Sequence, residues 1–187
     1  MIKNDLRFHR LLPVISINIF KRELVVTISN DHILHALHVL KDHINYKYAL
    51  LSCLSGVDFF FKKYRFCVVY DLLSLSQNAR LRLKVFTAEI ISIKSIISVY
   101  INANWWEREV WDFFGVFFND HNDLRRILTD YGFDYFPMRR DFPLMGFVET
   151  RYNDLKKRVV YEKIQLTQNY RVFTHESAWQ FVQGPTI

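Results

Sequence analysis

Ala79-Arg80-Leu81-Arg82-Leu83-Lys84-Val85-Phe86 alternates without a break, with Leu81, Leu83 and Val85 on one side and Arg80, Arg82 and Lys84 on the other. A period of two predicts a strand with one face on a core. Two runs precede it: Tyr48–Val57 is apolar and expected to be covered on both faces, and Tyr64–Leu75 is rich in aromatic and β-branched residues. Strands in direct succession pair most simply as antiparallel hairpins. Further upstream, Glu23–Ser29 sets Leu24, Val26 and Ile28 against Glu23, Thr27 and Ser29, which predicts another half-buried strand. Between these strands Ile33, Leu37, Leu40 and Ile44 recur at helical spacing, with Asn30 or Asp31 placed to cap the helix. A helix-like stretch holding Leu6, Leu11 and Leu12 leads up to Pro13, which ends it. The order strand, helix, three strands predicts an α+β fold. It is a small antiparallel or mixed sheet with helices packed on it, followed by an extended C-terminal arm.

Beyond Phe86, Ser95–Ile101 reads as a short helix. Trp105–Phe114 reads as a second, capped by Asn104, with Trp106, Val110 and Phe113 along its core stripe. Gly115 is placed to end it in a left-handed conformation. After Gly115 the periodicity fades, and Gly132, Pro137, Pro143, Gly146, Gly184 and Pro185 punctuate the chain, with one strand-like piece at Arg158–Leu166. Residues 1–115 are therefore expected to form the α+β domain. Residues 116–187 form an arm with more aromatic surface than it can bury on itself, so it is expected to wrap a partner.

Of the 187 residues, 50% are hydrophobic and 17% aromatic, which excludes a disordered chain. The two cysteines, Cys53 and Cys67, are too few for a disulfide scaffold, a four-Cys zinc site or a self-contained iron–sulfur cluster, and they read as buried reduced thiols. His32, His35, His38 and His43 fan around the polar side of their helix, so solvation rather than metal binding is expected of them. No stretch approaches the roughly 20 apolar residues that cross a bilayer. Met1–Arg10 has neither the apolar core of a signal peptide nor the composition of a long transit peptide, which predicts a soluble chain made where it is used. The net charge of +6 is spread among interleaved acids and bases. The row Arg80, Arg82, Lys84 suits an RNA surface, but an exposed sheet face or a charge-protected edge explains it as well.

The densest polar chemistry is Glu107, Arg108, Glu109, Asp112, His121, Asp123, Arg125 and Arg126. Glu109 and Asp112 lie too close on one helix to act as the two carboxylates of a hydrolase cleft. Arg108 and Asp112, four apart, are placed to pair with each other. Glu109, Asp112 and His121 lack metal-ligand spacing. Arginines balanced by acids and flanked by Trp and Phe suit a protein–protein contact.

The run Trp105-Trp106-Glu107-Arg108-Glu109-Val110-Trp111-Asp112-Phe113-Phe114-Gly115 resembles the signature of the 30-kDa subunit family of respiratory complex I, NADH:ubiquinone oxidoreductase. The likeness continues through His121 and Asp123-Leu124-Arg125-Arg126-Ile127-Leu128-Thr129-Asp130-Tyr131-Gly132-Phe133. It resumes at Pro137 and Arg139-Arg140-Asp141-Phe142-Pro143-Leu144, then Gly146, Glu149, Arg151 and Tyr152. The tail is closer to the mitochondrial (subunit 9) branch than to the plastid one. Two places depart from the pattern: Asn122 stands where Pro is expected, and Tyr135-Phe136 replaces Gly-His, which would strain a left-handed turn.

The resemblance implies a structural subunit of the peripheral arm, with no redox cofactor of its own and no catalytic, cofactor or metal residues. FMN and the iron–sulfur clusters would be held by neighbouring subunits. The implied partners are the large quinone-site subunit and the small iron–sulfur subunit beside it. The implied place is the matrix side of the mitochondrial inner membrane or, alternatively, the cytoplasmic face of a bacterial one. Glu107, Arg108, Glu109, Asp112, Gly115, His121, Asp123, Arg125, Arg126, Asp130, Tyr131, Pro137, Arg139, Arg140, Asp141 and Pro143 would be the family and interface positions. Arg125, Arg126, Arg139 and Arg140 would pair with carboxylates of the partner or of this chain. The rival from another class is a small organellar RNA-binding or ribosomal α+β protein.

Overall fold

A computed structural model describes residues 12–21 and 23–173; the helix expected through Leu6 and Leu11 lies outside them. The alternating strand is central. β1 (Val14–Phe20), β2 (Glu23–Ile28), β3 (Leu50–Asp58), β4 (Phe66–Ser74) and β5 (Ala79–Thr87) form one sheet in the order β1-β2-β5-β4-β3. The β3–β4–β5 meander is antiparallel, as is the β1–β2 hairpin, and a parallel β2–β5 ladder joins the two. The fold is therefore α+β on a mixed sheet.

Leu81, Leu83 and Val85 of β5 are buried. On the opposite face Arg82 reaches Asp71 on β4 at 2.7 Å and Glu23 on β2 at 3.5 Å. A central strand has no edge to protect, so the charge row is an exposed sheet face, partly neutralised across three strands. β3 is an edge strand, with a register shift between Leu51 and Cys53. Leu51 and Leu54 face the core while Leu50 and Val57 are exposed, so only one face is covered, not both. β1 had no counterpart in the sequence reading, although Ile15, Ile17 and Ile19 alternate with Ser16 and Asn18 there; its pairing with β2 shifts register between Val14 and Ser16.

The first helix, α1 (Ile33–Asp42), buries Ile33, Ala36, Leu37 and Leu40. Its expected cap does not form. Asn30–His32 make a 3-10 turn, and the Asn30 amide donates to Ser92 O at 2.7 Å. His43 is extended and stops the helix, so Ile44 is exposed rather than in the core stripe. His32, His35 and His38 are exposed, and no group of three or more His, Cys, Asp or Glu among the described residues could hold a metal.

The helix expected at Ser95–Ile101 is instead a set of turns in which Val99 and Tyr100 N–H both donate to Ile96 O. It follows β6 (Ile93–Lys94), which pairs in parallel with β7 (Phe118–Asn119). Between them runs α2 (Ala103–Phe114). Its N-cap position is Asn102, not Asn104, and the Asn102 side chain donates to Leu51 O on β3 at 2.8 Å. The core face is Ala103, Glu107, Val110 and Phe114, with Trp106 and Phe113 only partly buried, because the helix rolls toward β3. Close approach there needs glycine: a Cβ on Gly56 would lie 2.6 Å from the Phe114 ring.

By its contacts the chain forms two compact units, with Phe142 the last residue of the first. Residues 116–142 belong to the first unit. The second, from Pro143, holds an antiparallel hairpin of β8 (Val148–Asn153) and β9 (Arg158–Lys163), with Arg151 and Glu162 paired across it at 2.8 Å. β9 stops three residues short of the expected Leu166.

Candidate functional site

The last turn of a helix leaves carbonyls without intrahelical donors and carries the negative end of the helix dipole. At the end of α2 each is met. Gly115 adopts φ 74° and its N–H donates to Trp111 O at 2.9 Å. Arg126 Nη1 reaches Asp112 O at 3.3 Å, Met138 N–H reaches Phe113 O at 3.2 Å, and Arg139 Nε reaches Phe114 O at 2.7 Å. Two guanidinium groups and a backbone amide from residues 126–139 thus finish the helix.

Asp112 organises the same segment from its side chain. Its buried carboxylate accepts Ile127, Leu128 and Thr129 N–H at 3.2, 2.8 and 2.9 Å. It also accepts the Thr129 hydroxyl at 2.6 Å and Arg126 Nη1 at 3.0 Å. Burial opposes its ionisation, but the Thr129 hydroxyl and the three amides outweigh burial and hold the carboxyl below its ordinary value. An anion so saturated is a strut. The expected Arg108–Asp112 pair does not form, since that carboxylate is turned into the 126–129 loop. Arg108 instead donates to Arg125 O at 3.3 Å and lies over the Trp105 ring.

Arginine–aromatic stacking continues from there. Arg126 lies over Phe133 and Phe136, and Arg139 over Phe136 and Phe66 at 4.5 and 5.0 Å. Trp111 packs edge-on against Phe136. The departure at Tyr135-Phe136 therefore supplies packing. Neither residue has a positive φ, so the expected strain is absent, and Tyr135 O accepts Arg126 at 2.8 Å.

A second ionic knot lies at the β3–β4 end. Arg65 holds Asp58 in a bidentate pair at 2.8 and 2.9 Å, and also reaches Glu89 at 2.9 Å and Asp141 at 2.7 Å. Arg139 shares Glu89 at 3.0 Å, and Arg140 N–H donates to Asp58 at 2.9 Å. Burial opposes ionisation of Asp58, but Arg65, Arg140 N–H and the Arg139 charge prevail and keep it ionised. Burial, together with the Arg65 charge, pulls Arg139 below its ordinary value.

The structure thus separates the sequence-derived positions. Glu107, Arg108, Asp112, Gly115, His121, Arg126, Arg139 and Asp141 are tied within the first unit. Glu109 and Pro137 are half-buried. Asp123 and Arg125 pair at 2.8 Å on the surface, Asp130, Tyr131 and Arg140 are exposed, and Pro143 opens the second unit. Asp58, Arg65 and Glu89 had no place in the sequence reading, while Thr129 entered it only as part of the family likeness and Phe136 only as a departure from it. The one available signal was that Asp58 and Arg65 flank a hairpin turn with opposite charges.

An α+β core whose last helix is clamped by an arginine-rich return loop defines a structural type, and comparisons with known proteins give its family. Residues 26–148 match the model described as respiratory-chain NADH dehydrogenase, 30 Kd subunit, and the chain belongs to that family. It is 47% identical over 163 residues to NADH-ubiquinone oxidoreductase subunit 9 of Reclinomonas americana, covering 87% of this chain and 80% of that protein. It is 48% identical over 152 residues to NADH dehydrogenase (ubiquinone) iron-sulfur protein 3 of Solanum tuberosum, covering 81% and 80%. A chain in the solved membrane-bound sulfane sulfur reductase, an archaeal respiratory membrane complex, shares the fold. Its TM-score is 0.63 at 22% identity, covering 74% of this chain and 82% of that one.

Proposed function

We propose that this chain is a scaffolding subunit of the peripheral arm of NADH:ubiquinone oxidoreductase, working without a redox centre of its own. The observation that carries this reading is the five-donor Asp112 with the capped end of α2. The densest charge in the chain is consumed in fixing a loop, and that loop presents Arg125, Asp130, Tyr131 and Arg140 outward. The outward cations meet carboxylates of the large quinone-site subunit, and residues 143–173 run across that subunit or the small iron–sulfur subunit beside it. FMN and the clusters belong to neighbouring subunits.

A relative's name mentions iron and sulfur, but the thiols here do not fit a cluster. Cys53 stands opposite Asp71 and Cys67 opposite Val57 in the β3–β4 ladder. That offset of four strand positions separates the thiols by roughly 13 Å. The relatives' names, together with the absence of any helix long and apolar enough to span a membrane among the described residues, support a peripheral place at the mitochondrial inner membrane, and the matrix side is part of the proposal.

A native-gel separation with in-gel NADH oxidation, followed by mass spectrometry of the active band, tests the reading. The chain is expected at one copy per enzyme. Its absence from the band, with salt-sensitive retention on RNA instead, would overturn it in favour of the RNA-binding rival.

A further inference from the structure

The hairpin between β3 and β4 turns through Phe59-Phe60-Phe61-Lys62-Lys63-Tyr64-Arg65. Phe60, Phe61 and Tyr64 are 44%, 85% and 48% exposed. Consecutive apolar residues on a turn add nothing to the chain's own core, and a chain keeps them where another surface covers them.

The tip is held in one shape. Phe59 N–H donates to Arg65 O at 2.7 Å and closes the loop, and Lys62 N–H donates to Phe59 O at 2.9 Å inside it. The Phe59 ring packs on Phe86 of β5 at 6.0 Å. Arg65, already fixed by Asp58, Glu89 and Asp141, lies over Phe60 at 5.2 Å. Phe60 and Phe61 meet edge-on at 5.1 Å, and Arg140 lies over Phe61 at 5.8 Å. Rings ordered in advance lose little freedom on docking. Around them Lys62, Lys63 and Arg140 are exposed, and none of the three is ion-paired among the described residues, whereas Arg65 and Arg139 are matched by Asp58, Glu89 and Asp141. The tip therefore offers an apolar centre inside a positive rim.

We propose that this hairpin tip is a plug, seated in an apolar recess rimmed by carboxylates on a neighbouring protein subunit of the enzyme. The inference rests on the scaffolding reading and gives it a second point of attachment. Phe61 enters the recess, Phe60 and Tyr64 line its mouth, and Lys62, Lys63 and Arg140 meet the acidic rim. Rigid aromatic anchors with a charged surround are the pattern of a protein–protein hot spot. An anionic lipid surface suits the tip less well. The three cations fall short of the roughly four to eight that hold a polybasic segment on a membrane. Glu89 and Asp141, half-exposed beside the tip, would also face the headgroups.

Hydroxyl-radical footprinting and zero-length carbodiimide cross-linking of the assembled enzyme in detergent, each read by mass spectrometry, test the proposal. Phe61 is expected to be oxidised as slowly as Phe66, which is 1% exposed. The carbodiimide is expected to join Lys62 or Lys63 to a carboxylate of another subunit. Phe61→Ser, a change outside the chain's core, is expected to lower the amount of assembled enzyme several-fold. Oxidation of Phe61 several-fold faster than Phe66 overturns the proposal. So does protection that arises only in phosphatidylcholine–phosphatidylglycerol vesicles, which would make lipid the occupant. Cross-links confined to this chain's own carboxylates, or an unchanged yield of Phe61→Ser enzyme, overturn it as well. Failure of the scaffolding reading looks different: the chain is then missing from the active enzyme before either reagent is added, and the plug falls with it.

Discussion

Arg139 Nε donates to Phe114 O across 2.7 Å, so a residue 25 positions downstream completes the final turn of α2. The helix and its return loop are therefore one structural object. Mutations in either are expected to act on both.

Asp112→Asn leaves the shape but removes the charge facing Arg126, and it aims an amide donor into a ring of donors. A loss of about 3 kcal/mol is expected, typical of breaking a buried pair from one side. The amount of assembled enzyme on native gels should fall, together with the unfolding temperature of the full chain.

Arg126→Ala and Asp130→Ala separate internal from external roles. Arg126 is a bonded partner of the buried Asp112 within the first unit, whereas Asp130 is exposed and accepts Tyr131 N–H at 2.8 Å. Both variants are expected to lower assembly while NADH oxidation per assembled enzyme stays near normal. Arg126→Ala should also destabilise the chain itself, because it strips the buried Asp112 of its cation. Normal assembly with quinone reduction abolished would point to direct chemistry.

Stability should depend on pH in two opposite ways. Asp112, Asp58 and Asp141 all sit below their ordinary value of 3.8, so their contribution is present above that value and lost as pH falls through the lower folded values. Glu107 is raised from 4.5 to about 7, so its contribution is full below 4.5 and lost as pH rises to about 7. Thermal melts against pH are expected to show both limbs. Glu107→Gln should flatten the fall between 4.5 and 7 and leave the acid limb in place.

Gly56→Ala would place a methyl 2.6 Å from the Phe114 ring. Overpacking of this kind costs about 1–3 kcal/mol. Denaturant titration should find Gly56→Ala destabilised by that amount, with Phe114→Leu in the same chain restoring part of it.

Some of this architecture could be read locally and some could not. The alternation of Ala79–Phe86 announced β5 because a strand's two faces are written in consecutive residues. Gly115 announced the end of α2 because a left-handed cap favours one residue type. The caps at Asn30 and Asn104 misled: the Asn30 amide satisfies the distant Ser92 carbonyl instead of its own helix, and Asn104 already lies inside α2, with Asn102 at the N-cap position. β1 was legible as the alternation of Ile15, Ile17 and Ile19 with Ser16 and Asn18 and was passed over. Asp112 showed its importance but not its partners. Four residues along a helix, Arg108 was the obvious candidate, and nothing nearby reveals that the chain returns fifteen positions later with three amides in a row. The aromatic role of Phe136 was equally opaque, since it exists only once two arginines enclose it.

The parallel ladder between β2 and β5 sets a schedule for biosynthesis. β2 leaves the ribosome about 50 residues before its central neighbour, a wait of several seconds at ordinary elongation rates. During that interval the β1–β2 hairpin carries the apolar Val25, Val26 and Ile28 with α1 present but its ladder partner β5 not yet made. A nascent chain of this kind invites chaperone engagement early, and its hazard of clumping is greatest before the meander has been made.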